Sequence, residues 1–153
     1  MSNTNTDRYF EDYVAGTELE VGSVCMSEAG IIEYASKYDP QEFHVNPEKA
    51  VNGPFGGLIA SGWHTAAVVM RLLVDEYLSS ASSLGSPGLD ELRWLAPVRP
   101  DDELTVRTRV TASRRSKSKP DRGLIHTRIE VSNQNSVMVM TMNAVNVVAC
   151  RKP

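Results

Sequence analysis

The rhythm of apolar and polar positions changes several times along this chain, and each change predicts an element. Residues 19–26 alternate, with Leu19, Val21, Ser23 and Cys25 set against Glu20, Gly22, Val24 and Met26, which predicts a first strand with Cys25 on the face of Leu19 and Val21. Ile31, Ile32, Ala35 and Tyr38 then recur at helical spacing, so residues 28–38 read as an amphipathic helix with Ser27 as its cap. Asp39-Pro40 ends that helix, because proline disfavours helical geometry in the residue before it. Asn46-Pro47-Glu48 starts a short helix with a cap, a first-turn proline and a first-turn acid, and Asn52-Gly53-Pro54 closes it with a turn. From Gly57 through Val74 the chain is apolar nearly all round, which predicts a helix surrounded by protein. Residues 79–88 are small and read as a loop. Residues 89–98, 103–113, 123–133 and 137–150 alternate as four further strands.

A strand, several helices and then four strands in succession argue an α+β fold with an antiparallel sheet. One sheet wrapped around one apolar helix is the simplest packing. It leaves a face and edges to be covered, so a homodimer is expected. Residues 1–8 read as a flexible tail and 9–153 as a single domain, its lead-in anchored by Tyr9, Phe10 and Tyr13.

The remaining bulk properties narrow the function classes. The chain has 153 residues, 41% of them hydrophobic, which suits one domain with a real core. A net charge of −3 gives no support for nucleic-acid binding. The longest apolar run is interrupted by Ser61, Gly62, His64 and Thr65, so no membrane span is expected. The polar N-terminus has no signal-peptide character, and cytoplasm is the expected compartment. Cys25 and Cys150 belong to no ligand motif and are expected to be small buried hydrophobes. Three scattered histidines without acidic partners at ligand spacing argue no metal.

Two short segments carry the candidate chemistry. Asp39-Pro40-Gln41-Glu42-Phe43-His44 places a carboxylate and an imidazole five positions apart, able to hold and activate a water molecule as an acid–base pair. The competing reading is a surface acid and a capping histidine. The dipole of the preceding helix is expected to make Asp39 somewhat more basic. Phe55-Gly56-Gly57 opens the apolar helix. Backbone N–H groups there have no intrahelical partners, and glycine lets a ligand approach them, so Gly57 is a candidate oxyanion donor; plain turn chemistry is the alternative. Ser61 fails the G-x-S-x-G pattern, because Ile59 and Trp63 occupy the glycine positions, and it is not read as a nucleophile. Thr65 either lines a pocket or is a helix-bonded core threonine. His64 reads as a satisfied core histidine and His126 as an exposed strand residue. Arg114, Arg115, Lys117, Lys119 and Arg122 form a basic hairpin tip, read as a solvated loop in preference to a phosphate site.

Together these pieces resemble the MaoC-like dehydratases, the (R)-specific enoyl-CoA hydratase group of the hotdog superfamily. The likeness runs from Tyr9-Phe10-Glu11-Asp12 to the last strand and includes Leu95-Ala96-Pro97-Val98-Arg99-Pro100-Asp101-Asp102. Its most specific part is the Asp-x-Asn-Pro-aliphatic-His motif, in which Asp39 and His44 match while Gln41, Glu42 and Phe43 depart. The resemblance implies a hotdog fold with acyl-thioester tunnels near a dimer interface. It implies reversible addition of water to a 2-enoyl thioester, with Asp39 and His44 managing the protons, Gly57 polarising the carbonyl, and Phe55, Gly56 and Thr65 contacting substrate. It implies no cofactor beyond the CoA of the acyl-CoA substrate. A hotdog thioesterase and a non-catalytic acyl-CoA-binding subunit are the alternatives.

Overall fold

Five strands pair into one antiparallel sheet in the order β1-β3-β4-β5-β2. They are β1 (Glu18–Cys25), β2 (Gly88–Trp94), β3 (Glu103–Arg115), β4 (Arg122–Ser132) and β5 (Met138–Ala149). The helices are α1 (Glu28–Tyr38), α2 (Glu42–Val45), α3 (Pro47–Ala50) and α4 (Gly62–Glu76). The computed structural model describes residues 7–153. Most of the expected 1–8 tail lies outside those residues. Its last two positions are held, since Asp7 accepts from Ser79 Oγ and Arg8 donates to the Tyr77 carbonyl.

The core forms because strand alternation gives the sheet one apolar face. Along β4, Ile125, Ile129 and Val131 are buried, and β3 adds Leu104, Val106 and Val110. Helix α4 supplies Thr65, Val69 and Leu73, which recur every four residues and are likewise buried. A curled sheet around one helix is thus the arrangement that its burial pattern demands.

Strand β1 departs from simple alternation. Its pairing with β3 shifts register between Glu20 and Gly22, and the shift exchanges the faces beyond it. Val21 and Met26 are buried, whereas Cys25 is exposed. Cys150 is only partly buried. Neither thiol is the core hydrophobe expected of it, the first because of the bulge and the second because it lies just past β5.

The central helix is shorter than its composition suggests. It begins at Gly62, five residues after Gly57. Gly56 turns the chain at φ +66, and the following segment is then pinned as extended chain. Ile59 N–H donates to the Phe43 carbonyl at 3.0 Å and Ala60 N–H to the Val98 carbonyl at 2.8 Å. These long-range bonds outcompete helix formation over residues 58–61. Gly62 itself lies against β2, where a Cβ would fall 2.3 Å from the Trp94 ring, so this glycine permits a close helix–sheet contact.

Helix α4 is not covered on all sides. Trp63, Met70 and Val74 are 58%, 46% and 50% exposed and lie on one stripe with Ala67. Edge strand β2 continues this surface, with Leu89 and Trp94 exposed and the Trp63 and Trp94 rings edge-to-face at 5.1 Å. The hairpin tip also has a structural role. Arg115 pairs with Glu11 and lies over the Phe10 ring, and Arg122 pairs with Asp121.

Candidate active site

Asp39 follows the last turn of α1, where Pro40 stops the helix. Its carboxylate collects three groups. Gln41 Nε2 donates to Oδ1 at 2.7 Å, Ser61 Oγ donates to Oδ2 at 2.7 Å, and His44 Nε2 lies 3.3 Å from Oδ2. Burial would raise the carboxyl pKa, but the hydrogen bonds from Gln41 and Ser61 and the neighbouring imidazole outweigh it, so Asp39 sits below its ordinary value. The helix-dipole expectation of a more basic Asp39 is therefore overturned by short-range donors.

His44 does not lie in a loop. It belongs to α2, a single turn too short to produce a periodic signal in the sequence. Its Nδ1 is 2.7 Å from the Ile59 carbonyl, and because a carbonyl only accepts, Nδ1 must carry the hydrogen. In the neutral ring Nε2 is then an acceptor facing a carboxylate oxygen, also an acceptor. Two acceptors at that spacing call for a shared proton or a water that donates to both. An acid–imidazole pair of this kind can exchange a proton with a group brought beside it.

Beside the pair opens a cavity of about 390 Å³, lined by Phe43, His44, Phe55, Ile59, Ala60, Gly62, Thr65, the 94–98 segment and Val139. The wall is largely apolar, as ligand pockets commonly are. Phe55 meets Phe43 edge-to-face at 5.2 Å within that wall. Gly56 and Gly57 are not wall residues; Gly57 lies against the Arg99 guanidinium, which also bonds the Phe55 carbonyl. The helix N-terminus at the wall is instead that of Gly62. Ser61 is its N-cap by position, but the Ser61 hydroxyl bonds Asp39 and caps nothing.

The sequence reading missed Ser61 and Gln41 as partners of Asp39. Gln41 carried a signal, standing where the motif has asparagine. Ser61 carried none, being 22 residues away and brought in only by the extended strap. Thr65 is almost fully buried and is among the residues lining the cavity. His64 is half-buried and stacks on Tyr34 at 4.7 Å, but its Nδ1 has no partner and burial lowers its pKa, so it is not the satisfied core histidine expected. His126 is partly buried and not exposed.

The role of Ser61 is testable by pH. A depressed Asp39 pKa keeps the carboxylate charged above its folded value and loses that form as pH falls through it. Ser61→Ala removes one lowering bond, so the acid limb of the kcat/KM profile is expected to move to higher pH. The stability contributed by ionised Asp39 is expected to fade at higher pH as well, read by thermal melting at stepped pH. An unmoved acid limb would show that the Ser61 bond does not tune the carboxylate.

A sheet curled around a central helix, with an acid–imidazole pair at the helix start and an apolar pocket beside it, defines a hotdog-fold protein, and solved hotdog structures overlay on it. The sequence profile of the MaoC like domain matches residues 12–144, and the chain belongs to that family. The solved MaoC-like dehydratase of Rhodospirillum rubrum superposes with a TM-score of 0.89 at 39% identity, covering 95% of this chain and 99% of that one. The uncharacterized protein YdeM of Bacillus subtilis is 30% identical across 84% of this chain and 90% of its own length. The 3-hydroxyacyl-thioester dehydratase Z of Mycobacterium tuberculosis is 43% identical over 61 residues, 39% of this chain and 40% of that protein. Among the described residues no helix is long and apolar enough to cross a membrane.

Proposed function

We propose that this protein reversibly adds water to a 2-enoyl thioester, most simply an acyl-CoA. The observation that carries this reading is the 3.3 Å meeting of Asp39 and His44 beside an apolar cavity. Water held by the two acceptors presents its lone pair to C3. As the C3–O bond forms, the pair takes the proton released, and His44, which is on the cavity wall, returns it to C2. The thioester itself stabilises the intervening charge as an enolate, so no further cofactor enters the reaction.

The enolate oxygen needs donors. The first-turn N–H groups of α4 have no intrahelical partners, and the Ser61 hydroxyl that would ordinarily cap them is occupied by Asp39. We therefore assign carbonyl polarisation to the Gly62 amide on the wall, in place of Gly57. Loss of one such donor typically costs about 2.7–4 kcal/mol of barrier. Phe55 and Thr65 contact the acyl group in this reading, and Gly56 and Gly57 shape the mouth.

A homodimer completes the reading. The exposed stripe of α4 and the exposed edge strand β2 form one apolar surface next to the cavity, the kind of patch that a soluble chain covers. The reaction is tested by following loss of the conjugated enoyl-thioester absorbance with a panel of 2-enoyl-CoA substrates. Hydration without release of free thiol is the expected result. Thiol release from saturated acyl-CoA, with no hydration of any enoyl substrate, would replace the proposal with a thioesterase.

A further inference from the structure

Among the described residues, one buried side-chain nitrogen has no hydrogen-bond partner, His64 Nδ1. Its ring lies flat on Tyr34 of α1, with centroids 4.7 Å apart and planes 8° from parallel. Tyr38 continues the aromatic row, 5.1 Å from Tyr34. In the neutral imidazole one nitrogen carries no hydrogen, so Nδ1 can stay bare. In the imidazolium both nitrogens carry one, and Nδ1–H becomes a charged donor buried without an acceptor. Attraction of that cation for the Tyr34 face offsets only part of the cost. The charged groups at this end of α1 are engaged elsewhere, Glu33 with Lys37 and Asp39 with Gln41, Ser61 and His44. On α4 Arg71 pairs with Asp75, and on β1 Glu18 and Glu20 pair with Arg109 and Arg107. Strand β2 meets the start of α4 through Trp94. Burial alone holds the His64 pKa below its ordinary value, with no contribution from a charged neighbour.

The place of this stack matters more than the ring itself. The end of α1 and the start of α4 are joined by the bond from Ser61 to Asp39 and by the stack of His64 on Tyr34. Tyr34 lies about 7 Å before Asp39 along α1, at 1.5 Å per residue. One hydrogen bond is a pivot about which two helices can swing. A second contact set off from it fixes the angle between them, and with it the direction in which the Asp39 carboxylate points.

Resting on the hydration reading above, we infer that His64 is a positioning residue: its stack on Tyr34 sets the Asp39 carboxylate against the start of α4, and the stack holds only while the imidazole is neutral. Taking up a proton requires the ring to turn Nδ1 out to water and leave Tyr34. The unfolded chain binds that proton below the ordinary histidine value of about 6.5, whereas the folded chain resists it. The stability contributed by the stack is therefore present above that pH and fades as pH falls below it.

The test compares the wild type with His64→Phe, which keeps a flat ring and removes the nitrogens, and with His64→Ala, which removes the stack at every pH. Nuclear magnetic resonance follows the His64 ring and the backbone amides of Asp39 and Ser61 between about pH 8 and pH 5, where imidazoles change charge. The two amides are expected to track the His64 ring with one midpoint below the ordinary value. That phase should vanish in His64→Phe, leaving only the one due to His44. With a 2-enoyl-CoA, the wild type is expected to lose about tenfold more kcat than His64→Phe over the same range, with KM little changed, within the 10²-fold that a displacement of about 1 Å can cost. His64→Ala should have a lowered kcat throughout. A His64 ring that titrates at or above its ordinary value, amides indifferent to it, or parallel loss of kcat in wild type and His64→Phe overturns the inference. If no enoyl substrate is turned over, the hydration reading falls, and the amide signals alone decide whether His64 sets Asp39.

Discussion

Asparagine in place of Asp39 is expected to slow hydration of a 2-enoyl-CoA by roughly 10²–10⁴-fold, the usual worth of a positioned general acid–base group. The amide oxygen still accepts from Ser61, so the strap that carries Ser61 stays in place and the variant should fold. What it loses is the charge that holds the water with His44. His44→Gln is expected to cost a similar factor, although it also removes the Nδ1–H bond to the Ile59 carbonyl and so disturbs the strap. Because the two groups hold one water, their losses should not multiply: the double variant is expected to be little slower than the worse single one. Rates from enoyl-thioester absorbance, with melting curves for each variant, check this. Folded single variants that keep full activity would remove the pair from the mechanism.

The second large effect concerns assembly. Met70→Glu combined with Val74→Glu is expected to convert a dimer to a monomer. The two residues lie one turn apart on the exposed stripe of α4. A carboxylate buried in an apolar contact without a partner is strongly unfavourable, and two per chain become four per dimer. Light scattering behind size exclusion reads the mass directly. Activity should fall with it, because exposed Trp94 and Leu95 both line the cavity and belong to the same surface. A wild-type chain that runs as a monomer would sink the interface outright.

The two effects differ in how far the sequence announces them. Strands β3 and β4 and helix α1 were legible because their burial repeats with the period of their element, over enough residues to be counted. Asp39 and His44 were legible as a pair because they are close in sequence. Features set by distant contacts were not. The face exchange at Glu20 and Gly22 depends on how β1 pairs with β3. The start of α4 is delayed by backbone bonds to Phe43 and Val98, which no local propensity encodes. The Ser61 bond to Asp39 follows from that delay. Helix α4 read as fully buried because composition records apolarity, whereas exposure depends on what else packs there.

The strap between the glycine turn and α4 separates two tasks that most pockets entangle. Phe43, Ile59 and Val98 hold the imidazole and its support through main-chain carbonyls and amides, while the same residues line the apolar cavity. Exchanging those side chains would remodel the shape of the chamber and leave the proton-handling geometry anchored to atoms that every residue type possesses. The shape of the chamber can therefore change while the Asp39–His44 pair stays where it is.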